Sequence, residues 1–214
     1  MEILFGTCSS VLTPWGELMN EKTVPSDQSS GAGPGRISSR LIHDGRVVHL
    51  SVDRVRFPDG NEGELELIRH RGASAVVPIL GSLDDPDPEV VMVHQYRYAA
   101  GGYVFEIPAG LPRDGEDWES CARRELEEET GYRGRDFIPL TRFFTTPGFT
   151  NEEIHLFVAT GLTEGQVRRD EDEYIEVVHL PLSTVRGMMQ EGEIVDGKSM
   201  VGLLYLDRFL RDEG

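Results

Sequence analysis

Residues 124–132 read RELEEETGY and place four glutamates within five positions. Acidic side chains at neighbouring positions of a helix repel each other by about 0.2–0.5 kcal/mol per pair. Such a cluster is therefore either a solvated helix face or a place where a cation is held among carboxylates.

A helix predicted from about residue 117 to 130 separates these acids by face. At about 100° per residue, Glu125, Glu128 and Glu129 fall within one arc, and the apolar Leu126 lies beside it. Partly buried carboxylates are costly unless they are paired, and hard divalent cations such as Mg²⁺ prefer carboxylate oxygens. Acid-rich helices are also common as solvated faces, so this stretch alone leaves both interpretations open.

Composition limits the classes of partner. The chain of 214 residues has a formal charge of −17, and such a surface repels phosphate backbones, so we expect no nucleic-acid partner. With Cys8 and Cys121 as its only cysteines, the chain has no disulfide framework, which predicts a reducing, cytoplasmic location. We expect no membrane span, because no apolar run approaches roughly 20 residues, and we find no export signal.

The N-terminal part predicts a tail followed by a small β domain. The Ser-, Gly- and Pro-rich stretch NEKTVPSDQSSGAGPGR predicts a disordered tail over residues 1–37, in which Met19 is a second candidate translation start. Strand-like runs at 46–57 and 63–70 flank the turn-forming PDGNEG. They predict a small β-hairpin domain over residues 38–71.

The remaining residues, 72–214, mix strands and helices without a regular βαβ alternation. Strand patterns occur at 74–80, 89–96, 137–144, 153–160 and 174–182. Gly131 is expected to end the acidic helix as a left-handed cap. Two helices follow the last strand, the first with Ser183 as its predicted N-cap and the second amphipathic. This element order predicts an α+β fold built on a mixed sheet.

A wider pattern bears on the two interpretations of the acidic helix. From Gly110 the spacing is G-x5-E-x7-R-E-L-x-E-E-x-G, in which Glu116 is the isolated acid. This pattern resembles the Nudix box of the Nudix hydrolases. Tyr132 departs from it, at a packing position where the family usually has an aliphatic residue.

The resemblance implies an α/β/α sandwich with a mixed sheet, preceded here by the small N-terminal β-hairpin domain. It implies an enzyme that cleaves nucleoside diphosphates linked to another moiety and that depends on a divalent metal. Mg²⁺ is the expected cofactor, with Mn²⁺ or another divalent cation as alternatives.

The resemblance also assigns roles to individual residues. The expected metal ligands are the Ala109 carbonyl and the carboxylates of Glu125, Glu128 and Glu129. Glu116 and Arg124 are expected to support the loop and orient the acids, and with Glu128 they form the expected catalytic group. His155 and Cys121 are expected to pack in the core.

The segments that flank the box resemble the ADP-ribose pyrophosphatase subfamily. HQYRY at 94–98, EIPAG at 106–110 and a proline about fifteen residues beyond the box carry this resemblance. It implies hydrolysis of ADP-ribose to AMP and ribose 5-phosphate. The expected substrate contacts are Arg97, Glu106, Pro147, Phe149 and Glu153.

A second acidic run, RDEDEYIEV at 169–177, precedes a predicted strand. Taken alone it is typical of a solvated loop. In the resembled subfamily the corresponding loop closes over the substrate, which implies Glu171 as the general base and Glu173 as a further metal ligand. The register stays open by one or two residues, since Asp170 and Asp172 alternate with them.

The resemblance further implies a homodimer formed through the N-terminal β domain, with Phe57 and Arg71 as candidates to stack on adenine. Two other functions stay open. One is hydrolysis of another nucleoside diphosphate sugar, which would use the same catalytic residues. The other is a sensor module that binds a nucleotide sugar without cleaving it, although such modules usually lose box glutamates and this chain keeps them all.

Overall fold

A computed structural model describes residues 33–165 and 174–210. In these ranges the strands are β1 (Gly35–Asp44), β2 (His49–Arg56), β3 (Glu62–Arg69), β4 (Ala73–Leu80), β5 (Glu89–Arg97), β6 (Gly102–Glu106), β7 (Ala109–Gly110), β8 (Tyr132–Arg133), β9 (Asp136–Phe144), β10 (Glu153–Thr160), β11 (Thr163–Glu164) and β12 (Ile175–Pro181). The helices are α1 (Trp118–Thr130), α2 (Leu182–Glu191) and α3 (Gly197–Tyr205). A π-helical turn, Leu206–Leu210, continues α3.

The chain divides into two compact units. Of the described residues, one unit contains 33–40 together with 53–65, and the other contains 41–52, 66–165 and 174–210. In the first unit, the Ser39 hydroxyl donates a 2.5 Å hydrogen bond to Asp53. Arg54 and Arg56 both donate to Glu62, at 2.8 and 3.0 Å.

The predicted N-terminal β-hairpin is confirmed and is larger than expected. Strands β1, β2 and β3 form a three-stranded sheet in that order. Nearly every side chain of β1 is exposed. Its sequence therefore lacks the alternation of apolar and polar residues by which a strand is predicted.

The second unit is built on a seven-stranded mixed sheet. Its main path runs β12-β5-β4-β10-β9, with β6 beside β5 and β7 beside β4. Strands β4 and β10 are parallel, whereas the other neighbours are antiparallel. The predicted mixed sheet is confirmed.

Helices cover both faces of this sheet. Side chains alternate along a strand, so neighbouring residues of β4 enter different cores. Val77 belongs to the core that α2 and α3 cover, whereas Val76 packs with Ala122 and Leu126 of α1. This arrangement is the predicted α/β/α sandwich.

Local signals define the ends of α1. Asp117 caps its N-terminus by accepting a 2.9 Å hydrogen bond from the Ser120 backbone N–H. Gly131 ends it at a φ of 76°, in the left-handed region that suits glycine. Both the helix from about 117 to 130 and its glycine cap were predicted from sequence and are confirmed.

The predicted N-cap of α2 was wrong. Pro181 occupies the cap position, and Ser183 lies inside the first turn. The hydroxyl and backbone N–H of Ser183 bind the Asp87 carboxylate, at 2.7 and 2.8 Å. An acid 96 residues away in sequence thus satisfies the helix end, which a search of the local sequence for caps does not consider.

Helix α3 packs closely on the sheet at Gly202. A Cβ atom at this position would lie 3.0 Å from Val77 Cγ2 and 3.2 Å from Ile107 Cδ1. The small residue lets the helix backbone approach the strands. Its N-terminus thereby comes next to the segment that joins β6 to β7.

Candidate active site

The Nudix-box loop leaves the sheet at β7 and returns at the start of α1. Ala109 and Gly110 pair with Ala75 and Ser74 of β4, which fixes the loop at its first residues. A Cβ atom at position 110 would overlap the Glu125 carboxylate. Glu125 therefore lies against the backbone of Gly110, in a space that only glycine leaves open.

Arg124 connects the loop to the helix. Its Nε and Nη2 atoms each donate to Glu116, at 2.8 Å, and Nη2 also donates to the Leu111 carbonyl at 2.9 Å. Its Nη1 atom donates to Glu125 at 2.5 Å and to Glu128 at 2.8 Å. This geometry supports the predicted role of Arg124 and Glu116 in orienting the acids.

The pKa values of this pair favour its charged form. The hydrogen bonds from Arg124 outweigh burial and lower the pKa of Glu116 to about 2. Glu116 in turn is the largest cause of the raised pKa of Arg124. Both side chains are therefore ionised throughout the neutral range.

Arg113, in the middle of the loop, is a contact that the sequence analysis missed. Its Nη2 donates to Glu128 at 2.9 Å, and its backbone N–H donates to Glu116 at 2.8 Å. Glu128 thus bonds to two arginines, one from the loop and one from its own helix. No spacing rule of the box covers Arg113, so sequence alone gave no signal.

Glu129 lies on the sheet side of α1 and is 3% exposed. Its negative charge contributes to the raised pKa of Arg97, after the larger effect of hydrogen bonds with Glu106. The predicted metal ligand Glu129 and the predicted phosphate contact Arg97 are therefore electrostatic neighbours.

Arg97 is held by Glu106 in a bidentate ion pair. Its Nε and Nη2 atoms donate to the two carboxylate oxygens at 2.7 and 2.8 Å. Burial opposes the charge of Glu106, but Arg97 and Lys198 outweigh it and lower the pKa of Glu106. Lys198, from the distant helix α3, was not predicted to lie here.

The donors in the box suit a hard divalent cation. Arg124, Glu116, Glu125 and Glu128 form one ion-pair cluster. Over residues 33–165 and 174–210, no three Asp, Glu, His or Cys side chains converge as a formed metal cluster. The predicted ligands nevertheless offer oxygen only, which Mg²⁺ prefers. The space against Gly110 brings one of these carboxylates to the loop backbone.

Two residues expected in the core are buried there. Cys121 is fully buried, and burial is the main cause that raises the pKa of its thiol to about 11. It is therefore protonated at neutral pH and unsuited to metal binding or nucleophilic attack. His155 stacks on Trp118 at 4.0 Å between ring centroids, and burial lowers its pKa.

Two predicted contacts beyond the box are Phe149, in the β9–β10 connection, and Glu153, the first residue of β10. Phe149 is exposed, and its carbonyl accepts a 2.8 Å hydrogen bond from the Ile68 backbone N–H. Glu153 bonds to Arg142 and lies 3.6 Å from His155. The structure therefore places Glu153 near the first turn of α1, whereas Glu125 to Glu129 occupy later turns.

Other predicted residues have different outcomes. Pro147 lies in the same β9–β10 connection as Phe149. Arg71, a candidate adenine contact, pairs at 3.3 Å with Asp114 of the box loop. Glu171 and Glu173, the expected base and loop ligand, lie outside the described residues.

Comparison with known proteins identifies the class. The family profile described as NUDIX domain matches residues 70–199, more than half of the chain. The chain belongs to the Nudix family, and the predicted class of Nudix hydrolase is confirmed.

Individual relatives narrow the comparison. The chain is 39% identical over 193 residues to a methanol dehydrogenase activator of Bacillus methanolicus, which covers 89% of this chain and 95% of that one. It is 36% identical over 172 residues to an ADP-ribose pyrophosphatase of Bacillus subtilis (strain 168), covering 79% and 90%. The predicted similarity to ADP-ribose pyrophosphatases is confirmed.

A solved structure supports the fold. The crystal structure of an ADP compounds hydrolase matches with a TM-score of 0.74 at 22% identity, covering 87% of this chain and 99% of that chain. The architecture is therefore shared over nearly the whole of that protein.

Proposed function

We propose that this chain hydrolyses the diphosphate of ADP-ribose to AMP and ribose 5-phosphate, with Mg²⁺ as its cofactor. One observation carries the proposal. Arg97 is held by Glu106 in a bidentate ion pair, and the charge of the box acid Glu129 acts on the same guanidinium, a group suited to phosphate binding. The choice of ADP-ribose as the substrate rests on the Bacillus subtilis relative, which is named an ADP-ribose pyrophosphatase.

The proposed roles of the Nudix-box residues are to bind the metal and to hold its ligands in place. The Ala109 carbonyl and the carboxylates of Glu125 and Glu129 would hold the metal, with Glu128 as a further or water-mediated contact. The bound metal would supply charge screening for the diphosphate and a more acidic water. Arg124, through Glu116 and Leu111, keeps the loop and the helix in one arrangement.

The remaining steps fall to the substrate contacts and the second acidic loop. Arg97 is proposed to bind a phosphate oxygen of the diphosphate and to offset its negative charge. Glu171 is the proposed general base that takes a proton from the attacking water, and Glu173 is a proposed further metal ligand. Pro147, Phe149 and Glu153 are proposed to line the ribose-phosphate end of the substrate.

Other nucleotide substrates differ in their contacts with the pocket rather than with the box. A hexose-linked nucleoside diphosphate presents the same diphosphate to Arg97 and the same acids. The flanking residues therefore decide between ADP-ribose and these compounds. A sensor that does not cleave is not favoured, because every box glutamate is present.

A second function is favoured by one relative, which is named a methanol dehydrogenase activator. Activation of a dehydrogenase would be measured directly, by adding the chain to a methanol dehydrogenase and following its rate. Including Glu129→Gln in the same assay decides whether any activation requires the hydrolytic site.

The main test is a product assay. The purified chain is incubated with ADP-ribose and Mg²⁺, and then with a chelator, while AMP and ribose 5-phosphate are measured. Release of both products that stops with the chelator is the expected result. If ADP-ribose stays intact while a hexose-linked nucleoside diphosphate is cleaved, that compound would replace ADP-ribose as the proposed substrate. If ADP-ribose binds and no compound is cleaved, the sensor function would be supported.

Assembly and location are proposed on separate grounds. We infer a homodimer formed through the N-terminal β domain, which sedimentation of the full chain over a range of concentrations tests. A monomer at all concentrations would contradict it. None of the helices in the described ranges is long and apolar enough to span a bilayer. The proposed cytoplasmic location rests on the cysteine usage, and fractionation of the source cells tests it.

A further inference from the structure

The N-terminus of α3 is fastened to the segment that leads from β6 into the Nudix box. Asp196 caps the helix by accepting a 3.0 Å hydrogen bond from the Ser199 backbone N–H. The Ser199 hydroxyl accepts a 2.8 Å hydrogen bond from the backbone N–H of Ile107, and Ser199 is fully buried. A helix from the far end of the sequence is therefore attached one residue beyond Glu106.

Lys198 extends this attachment to the active site. Its Nζ lies 2.5 Å from Glu106 Oε2 and 3.0 Å from Asp196 Oδ2. The same Glu106 oxygen accepts a 2.8 Å hydrogen bond from Arg97. The Glu106 side chain is buried, at 4% exposed, and that of Lys198 is largely enclosed, at 14% exposed. Glu106 is thus held between two cations, one from β5 and one from α3.

The choice of lysine at this position is unusual for the chain. The sequence contains two lysines, Lys22 and Lys198, and all its other basic side chains except histidine are arginine. A compact ammonium can sit between two carboxylates where a planar guanidinium needs more room. The site therefore uses the smaller cation where it is buried.

Asp196, the second acid that Lys198 contacts, also acts on Arg97. The charge of Asp196 reaches Arg97 in addition to the charge of Glu106. With Lys198 present, two cations balance two carboxylates. Without it, Glu106 and Asp196 would share Arg97 as their counter-charge, and the guanidinium would be drawn away from the box acids.

We propose that Lys198 is a positioning residue of the active site, which neutralises Asp196 and Glu106 so that Arg97 keeps the orientation in which it binds the diphosphate. The proposal rests on the proposed function for the identity of the bound group. It assigns the C-terminal helix a part in binding the substrate, in addition to its part in the core.

Two substitutions separate charge from packing. Lys198→Met removes the charge and keeps most of the length, whereas Lys198→Arg keeps the charge. We expect Lys198→Met to raise KM by about tenfold to a hundredfold, the loss that follows when a binding group shifts by about 1 Å. We expect a smaller change in kcat, and Lys198→Arg is expected to recover part of the loss.

A matched control removes an ion pair elsewhere in the same unit. Arg186 of α2 pairs with Asp207, away from the box. Arg186→Met is expected to leave KM unchanged. Thermal unfolding of each variant, measured by circular dichroism, shows whether it is folded at the assay temperature. A folded Lys198→Met variant with the KM of the parent would overturn the proposal.

A double substitution tests whether Lys198 affects substrate binding by orienting Arg97. If Lys198 acts by orienting Arg97, then Arg97→Met together with Lys198→Met will bind substrate no worse than Arg97→Met alone. Losses that multiply would show that Lys198 acts independently of Arg97, which contradicts the proposal.

The substrate of the assay is chosen so that the two proposals fail separately. The parent is first given ADP-ribose and hexose-linked nucleoside diphosphates, and the variants are then compared on the compound it cleaves. If the parent cleaves none of them, the dissociation constant of a methylene-bridged ADP-ribose analogue is measured in place of KM. Weaker binding by Lys198→Met would then support the positioning role although the proposed reaction had failed, and equal binding would overturn that role.

Discussion

The carboxylate of Glu125 lies against the α-carbon of Gly110, so that any side chain at position 110 would overlap it. Gly110 does not have a positive φ angle. The absence of a side chain at position 110 therefore leaves the space that the Glu125 carboxylate occupies, and it does not serve a left-handed turn. This contact connects the first residue of the box pattern to a predicted metal ligand fifteen positions later.

Substituting Gly110 by alanine tests this relationship. We expect Gly110→Ala to fold and to lose about a hundredfold in kcat/KM, because a displacement of about 1 Å at a catalytic group has effects of that size. Gly187→Ala is the matched control, since a Cβ at Gly187 meets nothing within 4 Å. Equal activity of Gly110→Ala and the parent would show that Glu125 does not need its present position.

A second prediction concerns the two faces of α1. Glu129 is buried on the sheet side of α1, whereas Glu127 pairs with Arg133 at 2.6 Å on the other side of the helix. We expect Glu129→Gln to lower the affinity for Mn²⁺ and the hydrolysis rate by about a hundredfold or more, since even outer-shell changes cost 10–100-fold. Titration followed by electron paramagnetic resonance measures the metal directly. Glu127→Gln is the control, and an equal loss in both variants would refute the assignment of faces.

The box helix could be predicted because its signals are local. Asp117 and Gly131 cap it within one or two residues of its ends, and the acids separate by face through simple helical geometry. The central strands could be predicted because strands buried on both faces have apolar sequences. The irregular order of these strands and the helices then indicated a mixed sheet. These features depend on residues that are close in sequence.

The rest of the site depends on residues far apart in sequence. Lys198 and Glu106 are separated by 92 residues, and nothing in the sequence around either one indicates their contact. Ser183 was wrongly predicted as a helix cap, since its partner, Asp87, lies 96 residues away and gives no local signal. Strand β1 was missed since its exposed side chains carry no apolar pattern. Sequence patterns report burial and local bonding, and they do not report which distant charges meet.

Replacing Glu106 tests how much its buried carboxylate contributes to stability through its two ion pairs. Glu106→Gln leaves Arg97 and Lys198 without the carboxylate that both contact. Arg97 is 44% exposed and can turn to water, whereas Lys198 is 14% exposed and would lose its charged partner. We therefore expect Glu106→Gln to lower the free energy of unfolding by about 1–3 kcal/mol, the cost of leaving one largely buried polar group unsatisfied. Urea unfolding at neutral pH measures the change.

An exposed pair on α1 provides the comparison for Glu106. Glu119 pairs with Arg123 at 2.8 Å, and its side chain is 45% exposed. Removing such a surface pair costs about 0–1 kcal/mol, so Glu119→Gln is expected to unfold close to the parent. Equal effects of the two substitutions would mean that the Arg97–Glu106–Lys198 cluster contributes no more than a surface pair.

The last prediction concerns acid stability and the bond between Glu116 and Arg124. The pKa of the Glu116 carboxyl is lowered from its ordinary value of 4.5 to about 2 in the folded chain, chiefly by hydrogen bonds from Arg124. Because the folded-state pKa is the lower one, the ionised form stabilises the fold fully above 4.5, and this contribution is lost as the pH falls from 4.5 towards 2. Glu116→Gln lacks the titrating group. We therefore expect the parent to be more stable than this variant by a constant margin between pH 7 and about pH 5, and by a shrinking margin from there to pH 3. Urea unfolding of both proteins across this range measures the margin. A margin that stays constant or widens in acid would show that Arg124 does not hold Glu116 in its ionised form.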